Sequence, residues 1–254
     1  MHHVQQRHNK TKSMNYDRDY QLDEQMRRRE FSVEAAFPVL MRKVYIWMTL
    51  ALVITGITAY EVPTTPSIIM TIASNSALMW GLIIAEFVLV FAISGAINRL
   101  SLTTATLLFV LYSVINGATL SFIFLLYTAT SITSVFFITA GTFAVMAFIG
   151  YTTKTDLTSM GKILFMALIG IIIATVVNMF VGSSTLQMIV SYIGVLVFVG
   201  LTAYDSQKIK QMLMMAPDTG ETSQKLALLG ALSLYLDFIN LFLYLLRIFG
   251  ARRD

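Results

Sequence analysis

The chain has 254 residues, of which 56% are hydrophobic and only 13% charged, with a formal net charge of +4. Ordinary globular domains are about 25% charged, so the composition is that of a membrane protein. Cysteine is absent and the three histidines are His2, His3 and His8, which excludes disulfides, thiolate chemistry and any imidazole base or metal ligand beyond the N-terminus.

Residues 1–43 carry nine basic side chains (Arg7, Lys10, Lys12, Arg18, Arg27, Arg28, Arg29, Arg42, Lys43) against six acids (Asp17, Asp19, Asp23, Glu24, Glu30, Glu34). This segment reads as a flexible, cytoplasmic tail. Its basic excess is expected to set topology rather than to bind nucleic acid. No short charged region followed by a small-residue cleavage site opens the chain, so no cleavable signal peptide is expected.

The membrane domain is predicted over 44–250, with a short basic end at 251–254. A hydrocarbon core ~30 Å thick needs about 20 helical residues. In chain order the spans are predicted near 44–60, 78–97, 103–126, 132–151, 161–181, 186–205 and 226–249. Connections are short except 61–77, punctuated by Pro63 and Pro66, and the polar stretch 206–225, with a turn signal at 217–220. Arg99 follows the second span, Lys154 and Lys162 the fourth, and Lys208, Lys210 and Lys225 the sixth; the loops after spans one, three and five hold no Lys or Arg. With the tail inside, every basic loop is cytoplasmic. Arg252 and Arg253 disagree: either the bias yields at the last span, or that segment re-enters.

Away from the helix ends the spans hold three acids, Glu86, Asp205 and Asp237. A carboxylate at bilayer depth needs a partner, a proton or a water-filled cavity. In the seventh span Ser233, Asp237, Asn240, Tyr244 and Arg247 recur at intervals of 4, 3, 4 and 3, and so share one helix face, which Gly230 extends. Such a stripe must face protein or water. It serves either interhelical packing or ion handling. Ser113, Asn116, Gly117, Thr119 and Ser121 in the third span, Thr175 and Asn178 in the fifth, and Thr202 and Tyr204 in the sixth are matching polar or small positions.

An enzyme is not expected. The membrane domain has no histidine base and no Gly-x-Ser-x-Gly turn. An intramembrane aspartyl protease would use two aspartates sharing a proton. Asp205 follows Tyr204, but Asp237 lies between Leu236 and Phe238, without the Gly-x-Gly-Asp pattern that such a protease would show.

Four stretches resemble the Bax inhibitor-1 (transmembrane Bax inhibitor motif) family, in its bacterial form. They are 200–210 (GLTAYDSQKIK), 230–247 (GALSLYLDFINLFLYLLR), 116–121 (NGATLS) and 151–157 (YTTKTDL). The resemblance covers about 44–250 and implies an all-α integral membrane protein, a seven-helix bundle whose last helix is central and wrapped by the other six. It implies a pH-sensitive calcium leak gated by an aspartate pair, carried here by Asp205 and Asp237, which would also form a weak Ca²⁺ site. Glu86 matches the family's acid in the second helix. The basic latch residue of many relatives falls at Ala96; either Arg99, one turn later, substitutes for it or the latch differs here, and Asn240 is a further auxiliary. No cofactor is implied. The resemblance also offers a rival role, a membrane modulator of a quality-control protease or of cell-death partners, docked through the tail. The expected setting is a bacterial inner membrane.

Two carboxylates brought together at low dielectric cannot both ionise cheaply, so the pair would titrate as a unit. With one proton it can bridge the two helices; without it the charges repel or attract a cation, biasing helix packing. Ca²⁺ takes six to eight oxygens, more than Asp205, Asp237 and Glu86 supply, so a hydrated transit site is expected. Span arithmetic sets the two aspartates roughly 10 Å apart in depth.

Overall fold

The computed structural model describes the backbone of residues 2–253 and the side chains of residues 21, 22, 24, 26, 27 and 31–253. Among these residues the regular structure is helical: α1 (His2–Thr64), α2 (Pro66–Ser74), α3 (Ser76–Ala96), α4 (Leu102–Leu120), α5 (Ile123–Leu126), α6 (Ala129–Thr152), α7 (Thr158–Val181), α8 (Ser184–Met214) and α9 (Glu221–Phe249). Seven segments are long and apolar enough to cross a bilayer: Phe31–Thr64 of α1, α3, α4 with α5, α6, α7, α8 and α9.

Much of the predicted tail, residues 1–43, lies outside the described side chains, but its last part does not. Ala36, Leu40, Val44, Met48, Ala51, Thr55, Ala59 and Val62 recur every three or four residues on α1 and are all buried. The packed face of the first span therefore starts about eight residues before position 44. The connection 61–77 holds the end of α1 and the short helix α2, which opens on Pro66 at a position where its missing N–H is no loss.

The sixth and seventh spans also run past their predicted limits. α8 continues from Asp205 to Met214 because its polar residues find partners at the end of α6 and on the α6–α7 connection. Ser206 Oγ donates to Ala147 O (2.8 Å), Gln207 Nε2 to Thr155 O (2.8 Å) and Lys210 Nζ to Tyr151 O (2.8 Å), while Leu157 N donates to Gln207 Oε1 (2.8 Å). α9 starts at Glu221, whose Oε1 accepts from Leu102 N (2.9 Å) at the amino end of α4. An acid there complements that helix dipole.

α9 is the axis of the bundle: 67% of its span is buried, against 44% for α8 and 6% for α7. It packs chiefly against α8, α1, α6 and α4, while α3 leans mainly on α4 and α7 on α8. The last helix is thus central, with four of the six others forming its close wall and two set outside them. The outer helices turn Phe87, Phe91, Phe165 and Phe180 outward, as lipid-facing surfaces require. Two glycines permit close approaches to the backbone of a neighbouring helix. A Cβ at Gly150 of α6 would sit 2.0 Å from Ala203 O of α8, and one at Gly117 of α4 would sit 2.7 Å from Thr55 O of α1.

The two ends of the bundle differ. At one end Lys43 Nζ donates to Gln224 Oε1 (2.7 Å) and Lys225 Nζ to Leu100 O (3.0 Å). At the other, the chain after α9 folds onto the α5–α6 connection. Thr128 N donates to Ala251 O (3.1 Å), Arg253 N to Leu126 O (3.0 Å) and Ala251 N to Ser131 Oγ (3.0 Å). The last segment therefore runs from one end of the bundle to the other, as a full crossing requires. Arg252 and Arg253 lie at the end away from Lys43.

Candidate functional site: the intramembrane acids

The stripe Ser233, Asp237, Tyr244 turns toward α8. Gly194 of α8 leaves room for the Tyr244 ring, which stacks on Phe198 at 5.8 Å between centroids. One helix turn before Asp237, the Ser233 hydroxyl donates to Asp205 Oδ2. The cross-helix bond sets the depth of the pair. Asp205 is thus bonded to a residue only one turn, about 6 Å along α9, from Asp237, closer than the span arithmetic implies. Asp237 is only 4% exposed, and its Oδ2 is buried with no hydrogen-bond partner among the described residues. The structure thus sets Asp237, with its uncommitted buried oxygen, one turn from the hydroxyl that binds Asp205.

The other expected site residues stand apart. Asn240 gives its amide to Leu236 O of its own helix (2.8 Å). Arg99 is exposed, with its backbone N–H on Ala96 O (2.8 Å) in the turn that ends α3. It lies 13 residues beyond Glu86, about 20 Å along a helix, so it does not latch that acid in this conformation. Arg247 rests over the Tyr244 ring (5.5 Å) and, with Arg252, lines a cavity of about 460 Å³ at the end away from Lys43.

Glu86 belongs to a second polar cluster, on the opposite side of α9. Its Oε1 accepts from the Thr119 hydroxyl, and its Oε2 is 3.3 Å from the Asn116 amide of α4. Asn116 Oδ1 is 2.9 Å from the Tyr235 hydroxyl of α9, which is 2.6 Å from Thr55 Oγ1 of α1. Thr55 Oγ1 in turn reaches Ser113 O at 2.9 Å. Asn116, Thr119 and Ser113 stand out in the sequence as polar positions of the third span. Tyr235 and Thr55 do not, because Tyr235 falls off the polar stripe and Thr55 stands alone in an apolar run. No group of three or more acidic or histidine side chains that could hold a metal ion is found among the described residues, so Glu86 does not join the aspartate pair as a third ligand.

The family model described as "Inhibitor of apoptosis-promoting Bax1" matches residues 38–254. The Escherichia coli (strain K12) inner membrane protein YbhL is 51% identical over 221 residues, covering 86% of this chain and 94% of the relative. An uncharacterized protein of Rickettsia prowazekii is 44% identical over 216 residues, covering 84% and 90%. An uncharacterized membrane protein of Streptococcus pyogenes serotype M6 is 40% identical over 188 residues, covering 74% and 81%. With seven helices fit to span a bilayer around a buried last helix, and a family match that takes in all of them, this chain is a multi-pass membrane protein of the Bax inhibitor-1 family.

Proposed function

We propose that the protein is a pH-sensitive calcium leak of a bacterial inner membrane, controlled by the proton shared between Asp205 and Asp237. The observation that carries this reading is the Asp237 Oδ2 atom, buried in the bundle axis without a hydrogen-bond partner among the described residues, one turn from the Ser233 hydroxyl that binds Asp205. Buried polar groups are almost always satisfied, and those that are not concentrate where a proton or ion is handled.

With one proton between them the two side chains can close on each other across the α8–α9 contact. With none, the charges repel unless a cation enters. The carboxyl oxygens and the Ser233 hydroxyl supply only part of the six to eight oxygens that Ca²⁺ takes, so the transported ion keeps much of its water and leaves readily. The helix pair is the two-state element, and the proton is its bias. The excess of basic residues at the end bearing Lys43, Lys154, Lys162, Lys210 and Lys225 supports a cytoplasmic setting for that end, with the N-terminus inside and Arg253 outside.

Purified protein in vesicles loaded with a calcium dye tests the reading. Flux that varies between pH 6 and 8, and changes in Asp205→Asn and Asp237→Asn, supports it. Absence of flux at every pH in that range makes the aspartate pair a packing element and leaves the role of membrane modulator.

A further inference from the structure

The second polar cluster has a hydrogen balance that identifies a protonation state. Four contacts run in series: Glu86 Oε2 to the Asn116 amide (3.3 Å), Asn116 to Tyr235 OH (2.9 Å), Tyr235 OH to Thr55 Oγ1 (2.6 Å) and Thr55 Oγ1 to Ser113 O (2.9 Å). The Ser113 carbonyl has no hydrogen to give. Thr55 and Tyr235 have one hydroxyl hydrogen each, and the Asn116 amide gives a hydrogen along the chain at one of its two ends only. Three hydrogens serve four contacts. Glu86 as a carboxylic acid would supply the fourth.

With that proton in place the four contacts of the series are satisfied in one direction. Glu86 Oε2–H donates to Asn116 Oδ1, Asn116 Nδ2–H to Tyr235, Tyr235 to Thr55, and Thr55 to Ser113 O, while the Thr119 hydroxyl, which also reaches Ile115 O (2.8 Å), lies against Glu86 Oε1. This needs the Asn116 amide turned end for end, an exchange of N and O that leaves the contacts in place. When Glu86 gives up its proton the sequence reverses: Asn116 donates to Glu86, Tyr235 to Asn116 and Thr55 to Tyr235. Thr55 and the Ser113 carbonyl then face each other as bare oxygens. That lost contact lies beside a close approach of α1 and α4, at Gly117 against Thr55 O.

We propose that Glu86 is a second proton-binding site of the bundle, separate from the aspartate pair, and that its proton sets the direction of the Glu86–Asn116–Tyr235–Thr55–Ser113 chain and with it the α1–α4 contact. Its position agrees. Glu86 is the eleventh of the 21 residues of α3, about 15 Å from either end of that helix and so at mid-bilayer. It is half-buried, so part of it faces out of the bundle, where a charge is costly. The titratable side chains that sense it are Tyr112 on α4 and Tyr235 on α9. α2 contributes none, and α3 has no other. The proposal stands whether or not the aspartate pair conducts an ion.

Infrared spectroscopy of the full chain in vesicles, with ¹³C-labelled glutamate, tests it without measuring flux. The other glutamates with described side chains, Glu24, Glu34, Glu61 and Glu221, are exposed. A carboxylic-acid band that moves on labelling near pH 7, vanishes in Glu86→Gln and shifts in Asn116→Ala and Tyr235→Phe is the expected result. Because labelling is done on the unsubstituted protein, a variant that fails to fold does not remove the test. No glutamate-derived acid band at pH 7 overturns the proton site. A band indifferent to both Asn116→Ala and Tyr235→Phe overturns the chain.

Discussion

The Ser233 hydroxyl of α9 donates to the Asp205 carboxylate of α8, and so holds these two helices in register one turn from Asp237. Interhelical hydrogen bonds in membranes average about 0.6 kcal/mol, with a ceiling near ~1.7 kcal/mol. Ser233→Ala should destabilise the protein by an amount in that range, and Ser233→Thr by less, in a denaturation series in detergent. Equal loss in both variants would show that the hydroxyl contributes nothing.

Asp237 should trade stability for function. Leaving a buried polar atom unsatisfied costs about 1–3 kcal/mol. Asp237→Leu removes that atom at similar size, so it should raise the melting temperature, by about 2–4 °C per kcal/mol recovered, while abolishing the pH response. A lower melting temperature would mean that Asp237 has a partner that stabilises it.

Much of this arrangement was legible in the sequence. Seven apolar runs marked the spans, and the 4-3-4-3 spacing of Ser233, Asp237, Asn240, Tyr244 and Arg247 marked the face of α9 that meets α8. Depth was not legible, because it depends on where α8 stops. Lys208 and Lys210 read as the polar start of a loop, yet they continue the helix to Met214, supported by carbonyls and amides of a different connection. Nor could spacing reveal Thr55 or Tyr235. Each is one polar residue among apolar ones, and their meaning comes from a contact 180 residues apart in sequence.

Glycine positions separate packing from propensity. In Gly150→Ala the new methyl would press on the Ala203 backbone, which cannot move as a side-chain tip can, so α6 must part from α8 and the yield of folded protein should fall sharply. Gly141→Ala, on the same helix with nothing within 4 Å of its Cβ, should be neutral or gain up to about 1 kcal/mol. Similar behaviour of the two variants would contradict the α6–α8 contact.

Topology can be read cleanly because the chain has no cysteine. Asp218→Cys, in the turn between α8 and α9, and Arg252→Cys, beyond α9, should react with a membrane-impermeant maleimide from opposite faces of the membrane. Labelling of both from one face would mean that α9 re-enters.

Outside the spans, Asp156 accepts from the Thr158 hydroxyl (2.6 Å) and backbone N–H (2.9 Å) at the start of α7, and these bonds hold its carboxyl below the usual carboxylate range. A lowered carboxyl favours the folded state above its unfolded titration point, and that contribution fades as pH falls through the folded one. Hydrogen exchange at Thr158 should therefore be protected at neutral pH and lose that protection toward strongly acidic pH. In Asp156→Ala the protection should be weak throughout.

The most direct test of the aspartate pair is calcium entry into dye-loaded vesicles, recorded from pH 6 to 8 for the unsubstituted protein and for Asp237→Asn. The expected result is a flux that changes with pH in the former and is fixed in the latter, since a carboxamide at that position cannot exchange a proton with Asp205. The same pH profile in both proteins would contradict control by the shared proton.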